Sequence, residues 1–253
     1  MAFRDPAPAP FIELQSVDST NTYALGEIHA GRARHGLAVF AREQVRGRGQ
    51  RGRSWSSEPG ANIILSLVID PRPLSLAGQF GLSACVALAV REFYAGFAGD
   101  STRIKWPNDI YWENRKAGGI LIENVVGTES GWQWAVAGIG LNINQTRFDP
   151  SLPNPVSLRQ ITGRQFETVD LARDLSGRVL HRLEELITSG PYLDGILAQY
   201  NEHLYGRDQE VTLRRENRVF RTRVQGVAET GDLITRSGSL EERFVFGEIS
   251  WVI

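Results

Sequence analysis

At 253 residues the chain can bury a sizeable core, and one large domain with a small appendage is the expected division. Its 28 Lys plus Arg are balanced by 29 Asp plus Glu, which argues against a nucleic-acid binder carrying a basic excess over a face or domain. The proline-rich start, Met1 to Pro10, has no apolar run of the secretory kind, and no later stretch reads as approaching the length of a membrane span. A soluble, cytoplasmic protein is therefore expected.

Phe11 to Val17 reads as a short strand, and Asp18-Ser19-Thr20 then offers capping side chains for a helix through Tyr23, Leu25 and Ile28. Leu37 to Glu43 is strand-like, Arg46 to Trp55 is a loop, and Asn62 to Ile69 is an apolar strand ending at Asp70-Pro71. Leu76 to Phe97 has helical spacing and is rich in alanine and leucine. The single cysteine, Cys85, lies within it among Leu82, Ala84, Val86 and Leu88, where a thiol acts as a small core hydrophobe. Arg103 to Trp106 is a strand broken by Pro107-Asn108-Asp109. Ile110 to Trp112 and Gly119 to Val125 follow around the turn Glu113-Asn114-Arg115-Lys116, and Trp134 to Ile143 comes next. This middle section is a mixed sheet.

Thr168 to Ser189 is the clearest helix: Leu171, Leu175, Val179, Leu183 and Leu186 form its apolar stripe, Thr168 is placed to cap it, and Gly190-Pro191 stops it. A second helix runs from Tyr192 to Leu204. Beyond Gly206 the pattern changes to Val211-Thr212-Leu213, Val219 to Val227, Leu233 to Arg236 and Phe244 to Ile249 with polar turns between them. Such short strands predict a small β-barrel domain.

The run Arg46-Gly47-Arg48-Gly49-Gln50-Arg51-Gly52-Arg53-Ser54-Trp55 is the strongest chemical signal. Glycines let the backbone approach a ligand, and exposed amides with guanidinium groups make an anion cradle. Its local charge in a neutral chain points to a phosphate-bearing small molecule.

Three segments together are similar to the signature blocks of biotin protein ligases. They are Arg48-Gly49-Gln50-Arg51-Gly52-Arg53-Ser54-Trp55; Lys105-Trp106-Pro107-Asn108-Asp109 with Lys116-Ala117-Gly118-Gly119-Ile120-Leu121-Ile122-Glu123; and Gly138-Ile139-Gly140-Leu141-Asn142-Ile143-Asn144. Ser19-Thr20-Asn21 and the closing Gly247-Glu248-Ile249-Ser250 match as well, so the resemblance runs from Phe11 onward. It implies an α+β fold: a mixed β-sheet catalytic domain packed with helices, like the class II synthetases, plus a small C-terminal SH3-like β-barrel. The implied divisions are a proline-rich extension over 1–10, a catalytic biotin- and ATP-binding domain over 11–205, and the barrel over 206–253.

The resemblance also implies a two-step reaction. ATP and biotin, with Mg2+ alongside, give biotinyl-5′-adenylate and pyrophosphate. A lysine of a biotin carboxyl carrier protein, from acetyl-CoA carboxylase or a related biotin enzyme, then takes the biotinyl group. The implied catalytic residues are Lys116, Arg48 and Asp109, because joining a carboxylate to a triphosphate needs cations where charge develops, and the attacking amine needs a proton acceptor. Biotin contacts are implied for Ser19, Thr20, Asn21, Gln44, Arg48, Gly49, Gln50, Lys116, Gly118 and Gly119. Nucleotide contacts are implied for Arg48, Arg51, Arg53, Trp55, Lys105, Asn108, Lys116, Asn142 and Asn144. No metal ligand is assigned, although Glu123 is a candidate by analogy. Trp106 reads as core.

Gln50 stands where many family members carry a second arginine thought to help retain the adenylate, so intermediate retention is the point at which this chain departs from the pattern. About ten residues precede the first strand, too few for the helix-turn-helix of repressor members, and a ligase without DNA binding or membrane association is expected. An exposed sheet edge offers a route to a homodimer. Two competing readings are lipoate or octanoate attachment on the same fold, and an Arg/Gly nucleic-acid-binding module.

Overall fold

The structure is a computed structural model and describes residues 9–127, 131–188 and 193–252. The large sheet is built from β1 (Phe11–Val17), β2 (Ala38–Gln44), β3 (Ile63–Ile69), β4 (Thr102–Lys105), β5 (Asp109–Trp112), β6 (Arg115–Gly127) and β7 (Gly131–Leu141). Its order is β1-β2-β3-β7-β6-β5-β4, with β1 and β2 parallel and the other neighbours antiparallel. The helices are α1 (Thr20–His29), α2 (Gln79–Ala98), α3 (Leu158–Thr162), α4 (Thr168–Thr188) and α5 (Leu193–Glu202). The expected mixed α+β architecture is present.

Strand alternation divides the sheet into two faces. Ile63, Leu65, Leu67 and Ile69 of β3 join Ala135, Ala137, Ile139 and Leu141 of β7 in the main core under α2 and α4. Val68 and Val136 point the other way and form a smaller cluster with Ala24 of α1. On that second face lie Ser66, Gly138, Gly140, Gly119 and Glu123.

α2 corrects one sequence expectation. Leu76–Ala98 is long and apolar enough, by length and composition, to cross a membrane, but 67% of the apolar window is buried inside the fold. A helix enclosed by α4, α5 and the sheet must be apolar nearly all round. Cys85 is fully buried there, and desolvation pushes its thiol up to about 12, which keeps it a core hydrophobe.

Three smaller differences have local causes. Thr168 is the first residue of α4 rather than its cap, and its hydroxyl donates to Gly60 O at 3.3 Å, tying the helix start to the loop before β3. Phe244 ends a strand instead of starting one: β11 is Leu240–Phe244, a turn follows with Gly247 at φ 90°, and β12 is only Ser250–Trp251. With β8 (Glu210–Arg215), β9 (Arg218–Val227) and β10 (Leu233–Ser237) these make a five-stranded antiparallel sheet, order β11-β10-β9-β8-β12. No ladder among the described residues joins β11 to β12. Gly190-Pro191, read as the stop of α4, lies outside the described residues.

The C-terminal sheet is packed on the larger one. Leu213, Val224, Val227, Leu233 and Phe244 belong to the main core cluster. Trp106 Nε1 donates to Gly231 O at 2.8 Å, and the Asn201 amide exchanges two hydrogen bonds with the Val227 backbone. Trp106 is buried, as its core reading expects.

Candidate active site

Side chains too small to cover it expose the second face of the sheet. A Cβ at Gly138 would lie 2.4 Å from Asn21 Oδ1, and one at Gly140 would lie 2.6 Å from the Trp55 ring. The Gly138-Ile139-Gly140 run therefore lets α1 and the Arg/Gly loop lie directly on β7.

At one end of this face is a neutral polar box. Thr20 N donates to Gln44 Oε1 at 2.8 Å, so the start of α1 is capped from β2. Ser19 sits at the N-cap position without a side-chain cap bond, which replaces the expected capping by Ser19 and Thr20 themselves. Ser66 Oγ lies 2.7 Å from Thr20 Oγ1 and 2.6 Å from Asn21 Oδ1. Asn21 Nδ2 donates to Glu123 Oε2 at 2.8 Å. Ser19, Thr20, Asn21 and Ser66 are all buried. Ser66 was not among the sequence-derived candidates, and its only signal is a lone hydroxyl within Ile63-Ile64-Leu65-Ser66-Leu67-Val68-Ile69.

Two ion pairs follow across the sheet. Arg48 Nη2 lies 2.6 Å from Glu123 Oε2, and Lys116 Nζ lies 2.8 Å from Asp109 Oδ1. Both pairs are partly exposed, so solvent screens them. The Lys116–Asp109 geometry depends on a β-bulge: the β5–β6 register runs Asp109↔Gly119 and Ile110↔Gly118, then shifts so that Tyr111 faces Lys116. The extra residue turns both Lys116 and Gly119 to the site face. A Cβ on Gly119 would approach Asp109 Oδ1 to 3.2 Å, Lys116 Nζ to 3.6 Å and the Trp55 ring to 3.6 Å. Gly118 faces Leu141 and Gly140 O and leaves no space for a side chain.

The Arg/Gly run covers this face as a narrow hairpin-like loop. Trp55 N donates to Gly47 O, Gly49 N to Arg53 O, and an isolated bridge links Arg48 with Ser54. Val45 to Gly49 and Arg51 to Ser54, with Leu121 and Glu123, line a cavity of about 620 Å³. Trp55 lies over Gly119 and Gly140, with Lys116 Nζ 5.9 Å from its ring centre.

Lys105 stands beside Asp109 across the β4–β5 ladder. Its amine is 4.7 Å from the Tyr111 ring centre and 5.5 Å from that of Trp251. Its pKa is lowered to about 8, mainly by burial, with Asp109 opposing and Lys116 and Arg53 adding to the shift. The remaining candidates have other partners. Asn108 Nδ2 donates to Ile120 O, and Asn142 Nδ2 reaches Lys116 O and Val156 O. The Asn144 side chain is paired at both ends with the Phe166 backbone. These three fix the loops around the site, whereas Arg53 and Gln50 lie in the covering loop itself.

A model of the biotin/lipoate A/B protein ligase family matches residues 13–142, just over half of the chain. The chain belongs to this family. The bifunctional ligase/repressor BirA of Escherichia coli (strain K12) is 38% identical over 143 residues, which are 56% of this chain and 43% of that protein. The chain thus spans less than half the length of that relative. BirA of Bacillus spizizenii is 30% identical over 226 residues, covering 87% of this chain and 67% of that one. The biotin--[acetyl-CoA-carboxylase] ligase of Paracoccus denitrificans is 38% identical over 157 residues, 59% of this chain and 63% of it.

Among solved structures, the biotin protein ligase of Aquifex aeolicus in complex with biotin and ATP has a TM-score of 0.78 at 24% identity, covering 95% of this chain and 97% of that chain. The biotin protein ligase of Leishmania major with biotinyl-5-AMP has a TM-score of 0.63 at 21% identity, covering 94% and 100%. These likenesses establish the ligase-family fold across both sheets. The family match itself ends at Asn142, so it holds the loop, the bulge and the glycine run.

Proposed function

We propose that this chain is an AMP-forming biotin ligase of the cytoplasm. It activates biotin with ATP to biotinyl-5′-AMP and passes the biotinyl group to a lysine of a biotin carboxyl carrier protein. The observation that carries the reading is the placement, on one sheet face under one cationic loop, of a neutral donor and acceptor box beside two cations. Thr20, Gln44 and Asn21 supply the mixed donors and acceptors that a ureido ring needs, and Gly138 and Gly140 leave the space. Arg48 and Lys116 supply the charge for a carboxylate and an α-phosphate.

In the first step a biotin carboxylate oxygen bonds to the α-phosphorus, and the bond to the pyrophosphate oxygen breaks. Lys116, a compact point charge, serves the carboxylate and the α-phosphate, while Arg48 forks across phosphate oxygens. Glu123 and Asp109 hold these cations in position in the free protein. Among the described residues no three His, Cys, Asp or Glu side chains cluster, and Mg2+ would there be held largely by nucleotide phosphates and water.

In the second step the carrier amine, freed of its proton, attacks the acyl carbon, and the bond to the AMP oxygen breaks. Asp109 is the group placed to orient that amine and accept the proton. The loop excludes water, which would otherwise hydrolyse the adenylate.

The test is incubation of the chain with ATP, a carrier domain and labelled biotin or labelled octanoate. Label from biotin on the carrier lysine is the expected result. Label from octanoate alone would assign the chain to the lipoyl branch, and no transfer of either would contradict the reading.

A further inference from the structure

The Arg/Gly loop is fastened at its tip to the C-terminal sheet. Arg51 sits at φ 55° inside the tight turn Gln50–Gly52, a left-handed conformation unusual for a side-chain-bearing residue. This turn directs its guanidinium away from the cations over the sheet. Arg51 Nη1 donates to Gly247 O at 2.6 Å, and the guanidinium lies 6.0 Å from the Phe246 ring centre. Gly247 has φ 90°, and a Cβ there would approach Arg51 Nη1 to 2.5 Å, so only glycine leaves room for this contact.

Phe246 packs edge-on against Trp106 with centroids 6.2 Å apart, yet it remains 48% exposed. An exposed phenylalanine on a turn is not there for core packing; here it is a platform for a guanidinium. The closing segment Gly247 to Ser250 has no other part in the chemistry derived above.

We propose that Arg51 is a positioning residue whose attachment to Gly247 and Phe246 keeps the loop closed over the acyl-adenylate. The proposal rests on the ligase reading, and it gives the loop, at the rim of the cavity that Arg51 helps to line, a hold on the C-terminal turn that is made without ligand. The latch is made to Gly247 O and Phe246, apart from the Arg48–Glu123 and Lys116–Asp109 pairs, so retention and chemistry are separable in this chain.

The test has two arms on the full chain. Amide hydrogen exchange over residues 47–55 reads the loop without ligand, through the Gly49, Arg53 and Trp55 amides that it bonds internally. Release of labelled adenylate, formed in place from biotin and ATP, reads retention. Arg51→Met and Gly247→Ala are each expected to speed exchange and release about fivefold, the scale for losing one exposed hydrogen bond from a charged donor. Arg51→Lys, which keeps a donor, is expected to recover part of both. Unchanged exchange in both Arg51→Met and Gly247→Ala overturns the latch. Faster exchange with unchanged release overturns its role in retention. If the unsubstituted chain forms no adenylate, the ligase reading and the retention role fail together, and the exchange arm still decides whether the latch exists.

Discussion

Arg48 and Arg51 stand three residues apart in one loop and meet opposite kinds of partner. Arg48 is paired with a carboxylate, Glu123, on the sheet, and Lys116 beside it is paired with Asp109. Arg51 is bonded to a neutral backbone carbonyl of the C-terminal turn. The difference separates two tasks. Cations over the sheet are neutralised at rest by carboxylates, so an incoming carboxylate or phosphate must compete for them, and the pairs orient the charges beforehand. Among the described residues the cation at the tip has no carboxylate partner to exchange, so ligand entry leaves its attachment in place.

Removing charge from the sheet side is expected to give the largest effect. Lys116→Ala should slow adenylate formation by roughly two to three orders of magnitude, the scale for losing one preorganised charge-stabilising group. Biotin-dependent pyrophosphate release measures it, and a near-normal rate would take Lys116 out of the chemistry.

A smaller effect is expected from the polar box that holds the sheet side in register. Ser66→Ala leaves Thr20 and Asn21 short of a buried partner and should cost about 1–3 kcal/mol. Urea denaturation gives the value, and biotin affinity should fall with it. A stability loss below about 0.5 kcal/mol, within the range of neutral surface changes, would show that the box is not organised by Ser66.

The third effect, confined to alkaline pH, concerns Lys105, which stands between the two regions because Trp251 reaches it from the C-terminal sheet. Its pKa is about 8, whereas the ordinary value is 10.5. Between these values the unfolded chain holds the proton that the folded chain has lost, so this residue makes stability rise with pH through that window. Relative to Lys105→Met, the unsubstituted chain should gain stability between pH 8 and 10, as read by urea midpoints. A parallel pH dependence in the two would contradict the burial of the charge.

The sequence exposed those parts of the site that are local. The Arg46–Trp55 loop, Lys116 with its two glycines and the Gly138–Gly140 run are each compact enough to be read along the chain. Most strands followed from alternation and β-branched runs, and α4 followed from its apolar stripe. The partners of these residues were not legible, because they come together only in the fold. Glu123 is 75 residues from Arg48, and Gly247 is 196 from Arg51. Ser66 was hidden in an apolar strand whose alternation alone puts it on the site face. The bulge at Ile110/Tyr111 shows in the sequence only as Gly118-Gly119, a pair that could equally have been read as a turn. The turn after Phe244 was misread as a strand because Val245, Phe246 and Ile249 are apolar, although Val245 and Phe246 are exposed.

The separation of chemistry from retention is tested most directly by single-turnover kinetics on Lys116→Ala and Arg51→Met, following formation and release of labelled biotinyl-adenylate in the same samples. The account predicts that Lys116→Ala loses formation, and that Arg51→Met loses retention by a much larger factor than it loses formation. If both variants fail at the same step by similar factors, the sheet and the latch are one device and the account is wrong.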